Sequence, residues 1–265
     1  MISSLARMRL ITFDVTNTLL VYRSSRVKQY GELGALFGVL CDDNDLARNF
    51  KSNWQRLNKT YPNFGRKSNI EYQQWWRLLV QDTFADSGAK IPAEKLEDFT
   101  EHLVELYKTS MCWQHCNHSI ELLKELRKQQ QLAVAESRKP PVLGVIANFD
   151  PRLDTVLTNM KIKEYFDFTL NSYDCEVEKP NREIFEMAIE RSKLNELKPD
   201  ECLHIGDGPT TDYLAAKALG WHSALIHERN ADYLIKKYGD NIDKNFVFAS
   251  LYDFHKKLIH NMISW

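Results

Sequence analysis

Phe13-Asp14-Val15-Thr16-Asn17-Thr18 decides the fold by what stands before it. The preceding run, Leu10-Ile11-Thr12-Phe13, is short, apolar and β-prone, and reads as a first strand ending at Asp14. Doubly wound sheets keep their working residues just past the carboxyl ends of strands, which is where this carboxylate falls.

Working outward, the same arrangement recurs downstream. A helix over 118–129 leads to a strand Val142–Ala147, followed by Asn148. Next come a helix over 152–160, a strand Asp167–Leu170, the pair Lys179-Pro180 and a helix over 181–192. A strand Cys202–Ile205 then runs into Gly206-Asp207-Gly208-Pro209-Thr210-Thr211-Asp212, with a helix over 210–219 and a strand Ser223–Ile226 after it. Strands alternating with helices predict an α/β protein, a Rossmann-like doubly wound parallel sheet with helices on both faces. The polar stretch from Gln129 to Pro141 ends in two prolines and reads as an exposed loop.

Between residues 26 and 110 the texture differs. Leu46, Phe50, Trp54 and Leu57 share one helical face, as do Tyr72, Trp75, Trp76, Leu79 and Val80, and Leu96, Phe99, Leu103, Leu106 and Tyr107. This block reads as a bundle of about four helices inserted after the first strand. The expected division is a core of residues 1–22 and 115–265 and a helical insertion of residues 23–114. The Trp and Tyr residues of the insertion follow helical spacing and are read as its core.

Composition limits the partners. The chain has 265 residues, 43% of them hydrophobic, enough for one core domain and a smaller one. A net charge of -1 argues against nucleic acid or an anionic membrane as the main partner. No apolar run reaches the ~20 residues of a membrane span. Five scattered cysteines, at 41, 112, 116, 175 and 202, read as reduced thiols. Without a signal peptide they point to the cytoplasm, ahead of nucleus or mitochondrial matrix. The first thirteen residues hold two arginines and no acid, but the strand begins so early that they read as an ordinary N-terminus.

Two carboxylate clusters and a lysine at one sheet edge suit magnesium and phosphate. A carboxylate can attack phosphorus, a cation can hold its oxygens, and a lysine can offset charge. The blander readings are that Asp14 is a turn former and that Asp212 stabilises the first turn of a helix. Cys112, His115, Cys116 and His118 are spaced C-x₃-C and H-x₂-H, which is not a usual zinc pattern, and are read as no site. Tyr61-Pro62-Asn63-Phe64-Gly65-Arg66 interrupts two helices and reads as a substrate-selecting loop or a structural turn. Asp150 and Arg152, just past Asn148, are candidates to face the site.

The ordered set Asp14, Ala147-Asn148, Lys179 and Asp207…Asp212 resembles the four motifs of the haloacid dehalogenase superfamily. The resemblance covers the whole chain and implies a hydrolase in which the helical insertion is a cap that chooses the substrate. It implies that Asp14 forms an aspartyl-phosphate, that Thr18 holds the phosphoryl group and that Lys179 bridges the two. It implies a Mg²⁺ ion held by Asp14, the Thr16 carbonyl, Asp207 and, directly or through water, Asp212. The substrate would be a small phosphorylated metabolite.

Three positions depart from the pattern. Asn17 stands where the family has Gly, and Asn tolerates left-handed backbone. Thr16 stands where the family's phosphatases have a second Asp that protonates the leaving group and activates water. A threonine hydroxyl does neither at neutral pH, so slow hydrolysis is expected, since such help is worth roughly 10²–10⁴ in rate. P-type ATPases resemble the chain in having Thr there. Ala147 replaces a Ser or Thr that binds a phosphoryl oxygen, a loss of ~1–3 kcal/mol, and Asn148 beside it is the substitute phosphate donor. These departures keep open a catalytically weak binding or regulatory protein. A metal-independent dehalogenase is disfavoured by Asp207 and Asp212.

Overall fold

The computed structural model describes residues 5–265. In chain order, β1 (Leu10–Phe13) and β2 (Leu20–Tyr22) precede four helices, α1 (Arg26–Leu36), α2 (Asp43–Thr60), α3 (Tyr72–Asp86) and α4 (Ala93–Leu106). Then come β3 (Trp113–His115), α5 (Ser119–Ala135), β4 (Val142–Ala147), α6 (Leu153–Asn159), β5 (Phe168–Asn171), α7 (Ser172–Cys175) and α8 (Arg182–Ser192). The chain closes with β6 (Cys202–Gly206), α9 (Ala215–Ala218), β7 (His222–Ile226), α10 (Ala231–Tyr238), β8 (Val247–Phe248) and α11 (Leu251–Ile259).

Two compact units result. One runs to Val21 and takes in His115–Asn148 and Lys161–Trp265; the other holds Tyr22–Gln114 and Phe149–Met160. The first unit contains a six-stranded sheet in the order β5-β4-β1-β6-β7-β8, parallel at every pairing. A parallel sheet is buried on both faces, so its strands are nearly continuous apolar runs. Leu10, Ile11 and Phe13 of β1, Val145 and Ile146 of β4 and Leu203 and Ile205 of β6 are all buried. Each such side chain contributes roughly 1.5–3 kcal/mol through burial. The register sets Phe13 beside both Val145 and Ile205; β6 runs one residue and β4 two residues past that level, so Asp14, Asn148 and Asp207 each follow the carboxyl end of one of three neighbouring strands.

The Gln129–Pro141 stretch is not all loop. α5 continues to Ala135 because Gln129, Gln130 and Ala133 turn inward, and Gln130 Nε2 donates to the Pro141 carbonyl at 2.6 Å. Long amide side chains can line a core with their stems while bonding at the tip, which a polar composition hides.

The helical unit packs around aromatic rings. Phe64 lies edge-on to Trp75 and stacked on Trp76, and Trp54 lies edge-on to Trp75. No helix among the described residues is long and apolar enough to cross a membrane.

Candidate active site

Asp14 leaves β1 buried, its backbone N–H donating to the Ile205 carbonyl of β6 at 2.9 Å. The chain then turns sharply. Asn17 takes φ 61°, the left-handed region that Asn enters more readily than most residues, and its N–H donates to the Leu20 carbonyl at 2.7 Å. That turn returns the Thr18 hydroxyl to within 3.4 Å of Asp14 Oδ2. Asn17 Nδ2 donates to Asp207 Oδ2 at 3.2 Å, tying the first loop to the loop after β6.

Lys179 reaches the same point. Its ammonium, only 2% exposed, has three hydrogens and three acceptors: Asp14 Oδ1 at 2.8 Å, Asp212 Oδ1 at 2.5 Å and the Ile146 carbonyl at 2.7 Å. Asn148 fixes the lysine backbone, its Oδ1 accepting from Lys179 N at 2.8 Å and its Nδ2 donating to Lys179 O at 2.9 Å. The structure thus gives Asn148 a positioning contact to the lysine, with one amide hydrogen remaining. Ala147 is buried at the end of β4.

Asp212 lies on a π-helical turn, Pro209–Leu214, a form frequent at functional sites. Its Oδ2 accepts from Gly208 N at 2.7 Å, and its Oδ1 accepts from Lys179 and lies 3.0 Å from His204 Nε2. This close folding needs glycine twice. A Cβ on Gly206 would stand 2.4 Å from Asp212 Cγ, and one on Gly208 2.6 Å from Asp212 Oδ2.

Asp14, Asp207 and Asp212 each present a carboxylate oxygen within 4.8 Å of the others. Burial pushes the Asp14 carboxyl up to about 6, with Lys179 pulling it down and Asp212 adding to the rise. Burial, then Asp14 and Asp212, push Asp207 up to about 7. Burial also opposes ionisation of Asp212, but Lys179 and His204 outweigh it and hold that carboxyl below its usual range. Burial works against the Lys179 charge, yet Asp14 and Asp212 raise its pKa and keep it protonated. The all-oxygen donor set and the strain of crowded carboxylates fit a hard divalent cation such as magnesium.

A cavity of about 480 Å³ opens beside Asp207, lined in part by Asn17, Thr18, Cys116, Asn117, His227 and Ser250. Burial, then Asp207 and Asp14, push the Cys116 thiol up to about 12, so it is a neutral wall rather than a nucleophile.

The remaining candidates have partners within their own unit. Asp150 and Arg152 are buried in the helical unit, bonded to each other and to Trp76 and the Val104 carbonyl. Phe64 of the 61–66 loop packs into the aromatic cluster, Asn63 and Gly65 are buried, and Trp75 Nε1 donates to the Tyr61 carbonyl at 3.0 Å, so the loop has a structural task. Cys112, His115, Cys116 and His118 form no metal-ligating cluster among the described residues.

Sequence reasoning missed Thr12 and His204. They are partners in the β1–β6 register, and Thr12 Oγ1 lies 2.8 Å from His204 Nδ1. The available signal was one polar residue in the middle of each of two apolar strands.

A sheet whose central strands β1 and β6 lead into a buried aspartate and two further aspartates, with a lysine reaching them from the loop before α8, defines a class of hydrolase. The chain belongs to the haloacid dehalogenase-like hydrolase family, whose model matches residues 8–220. It is 62% identical over 264 residues, 99% of each chain, to the rhythmically expressed gene 2 protein of Drosophila melanogaster. It is 29% identical to mouse haloacid dehalogenase-like hydrolase domain-containing protein 3, over 92% of this chain and 91% of that one. Among solved structures, YfnB of Bacillus subtilis, determined bound to magnesium, superposes with a TM-score of 0.65 at 16% identity, covering 95% of this chain and 99% of that one.

Proposed function

We propose that the protein is a magnesium-dependent phosphatase or phosphotransferase acting on a small phosphorylated metabolite through an aspartyl-phosphate on Asp14. The observation that carries this reading is the meeting of the Asp14, Asp207 and Asp212 carboxylates, two of which, Asp14 and Asp212, are bonded to the buried Lys179 ammonium.

Asp14 would attack phosphorus with a carboxylate oxygen, forming an O–P bond as the ester P–O bond breaks. Lys179 sits 2.8 Å from Asp14 Oδ1, where it can balance phosphoryl charge, and Thr18 and the remaining Asn148 amide hydrogen are the donors to the phosphoryl oxygens. The departing alkoxide must take its proton from solvent, since Thr16 has no acid to offer. Water then attacks phosphorus, splits the acyl phosphate and releases inorganic phosphate, again without a carboxylate at residue 16 to activate it. Asp14, Asp207 and the Thr16 carbonyl would hold magnesium, which would neutralise charge on the phosphoryl oxygens. Asp212 already accepts from Lys179, His204 and Gly208 N, so it suits contact through water.

The test is hydrolysis of an aryl phosphate, whose leaving group needs little protonation, with magnesium and with a chelator. Wild type is expected to be slow, Asp14→Asn inactive and Thr16→Asp faster, with a larger gain on an alkyl phosphate. Thr16 and Ala147 favour a second reading, a binding or regulatory protein with little turnover. That reading takes over if all three proteins are equally inert yet bind magnesium and phosphate. Activity that persists in chelator would point to dehalogenase-type chemistry instead. The five free thiols support a reducing compartment such as the cytoplasm.

A further inference from the structure

His255, on α11, is a buried group that the proposed chemistry does not use. It is 8% exposed, and neither ring nitrogen has a hydrogen-bond partner among the described residues. Leaving a buried imidazole without partners is unfavourable, so an unpaired one asks for a ligand. Its ring centre lies 5.1 Å from that of His118, the residue that starts α5. His118 Nδ1 is 4.0 Å from Glu121 Oε2, one turn along the same helix. Glu121 and Glu125 both act electrostatically on His255, which puts two carboxylates of α5 on the side of the helix that meets α11. Tyr252, one turn before His255, closes the group with its ring edge-on to His118.

We propose that His118, His255 and Glu121 form a second metal site, for Zn²⁺, between α5 and α11 of the sheet-containing unit. Two imidazoles select a borderline ion over magnesium, and two histidines with one carboxylate are a zinc ligand set that leaves a fourth position for water. Glu125, which accepts from Gln129 Nε2, adds negative charge near His255. Zinc bonds of ~2.0–2.1 Å set tetrahedral ligand atoms about 3.3 Å apart. The 4.0 Å between His118 and Glu121 is therefore near the bound spacing, though the three ligand atoms are less tightly gathered than those of Asp14, Asp207 and Asp212. Closing the set takes rotation of Glu121, whose side chain is 58% exposed, and of His118 toward the fixed His255 ring. The site shares no ligand with the acidic cluster and does not depend on the phosphatase reading.

The experiment is a titration of the full chain carrying Asp207→Asn, in excess magnesium, with Co²⁺ as a coloured probe and Zn²⁺ as competitor. The expected result is one equivalent of Co²⁺ with the intense visible bands of a tetrahedral site, displaced by Zn²⁺. His118→Ala and Glu121→Gln, at more exposed positions, should weaken binding at least tenfold, and His255→Leu should abolish it. Zn²⁺ should also raise the melting temperature of the parent but not of His118→Ala. No Co²⁺ equivalent in the parent, or binding that survives both histidine substitutions, overturns the proposal. So does a His255→Leu protein that is more stable than its parent while Zn²⁺ leaves the parent's melting unchanged, because His255 is then only an unsatisfied core residue.

Discussion

His204 Nε2 lies 3.0 Å from Asp212 Oδ1, and this contact between two buried side chains orients the acid that anchors Lys179. Burial lowers the His204 pKa, against the pull of Asp212, so the ring is neutral. A neutral ring has one N–H, and the carboxylate claims it at Nε2. Nδ1 then accepts from the Thr12 hydroxyl 2.8 Å away, which selects the tautomer. His204→Leu should cost about 1–3 kcal/mol by leaving Thr12 only its long 3.5 Å bond to the Leu203 carbonyl and removing a donor from Asp212. It should also weaken magnesium binding by roughly 10–100-fold, as loss of an outer partner usually does. Thr12→Val should cost about 1 kcal/mol. Calorimetric magnesium titration and urea unfolding measure both effects, and unchanged magnesium affinity in His204→Leu would show that the ring only fills space.

Lys179→Met should be among the most destabilising changes in the sheet-containing unit. It leaves Asp14 and Asp212 buried without their cation, and breaking a buried pair costs roughly 3–5 kcal/mol. Magnesium should recover part of the loss by replacing the missing charge. The check is the melting temperature of Lys179→Met against wild type, each with magnesium and with chelator. A larger magnesium-induced gain in the variant is expected; a smaller one contradicts the electrostatic role given to Lys179.

Stability should depend on pH through the same cluster. Asp14 and Asp207 hold protons up to about 6 and about 7, against 3.8 for an ordinary Asp. Between about pH 4 and pH 7 the folded chain therefore binds more protons than the unfolded one, and the metal-free protein loses stability as pH rises through that window. Asp212 has the opposite sign: its carboxyl is lowered, and its contribution disappears only as strong acid protonates it. Magnesium competes with protons for Asp14 and Asp207. Its stabilising effect should thus be greater near pH 8 than near pH 6, and Asp207→Asn should flatten the difference. Equal magnesium-induced melting shifts at the two pH values would contradict it.

That Asp14, Asp207 and Asp212 come together was legible because their loops follow strands, and strand ends in a parallel sheet converge; Lys179 was legible only from its place in the loop before α8. Asn17 was legible because its side-chain chemistry tolerates the left-handed turn it makes. The Thr12–His204 link was not, since it depends on the register between β1 and β6, which apolar runs do not specify residue by residue. The last turns of α5 were hidden by buried glutamines, of which Gln130 bonds across a loop to the Pro141 carbonyl and Gln129 back along the helix to Glu125. β8 has only two residues, too few for a period to show. The Asn148 contact to Lys179 depends on how one loop closes on another, and no spacing in the sequence carries that.

Asp150 and Arg152 give the helical unit a test of its own. Asp150 is 1% exposed and Arg152 6%, with Arg152 Nε 2.9 Å from Asp150 Oδ1 and Nη2 2.5 Å from Oδ2. Trp76 Nε1 donates to Asp150 Oδ2 at 2.9 Å, the guanidinium lies 4.9 Å from the Trp76 ring, and Arg152 Nη1 donates to the Val104 carbonyl at 3.2 Å. Every charge is therefore paired in two ways, which is the condition under which a buried ion pair survives its desolvation. Removing one partner, by Asp150→Asn or Arg152→Met, should cost about 3–5 kcal/mol, because the other charge is left buried. The double substitution should cost much less than the sum. The contrasting pair is Arg56–Asp82, whose side chains are 49% and 32% exposed and whose loss should cost at most ~1 kcal/mol. A double-mutant cycle read by urea unfolding decides between them. Strong coupling at 150–152 and weak coupling at 56–82 is expected, and comparable coupling at both would mean that solvent reaches the Asp150–Arg152 pair.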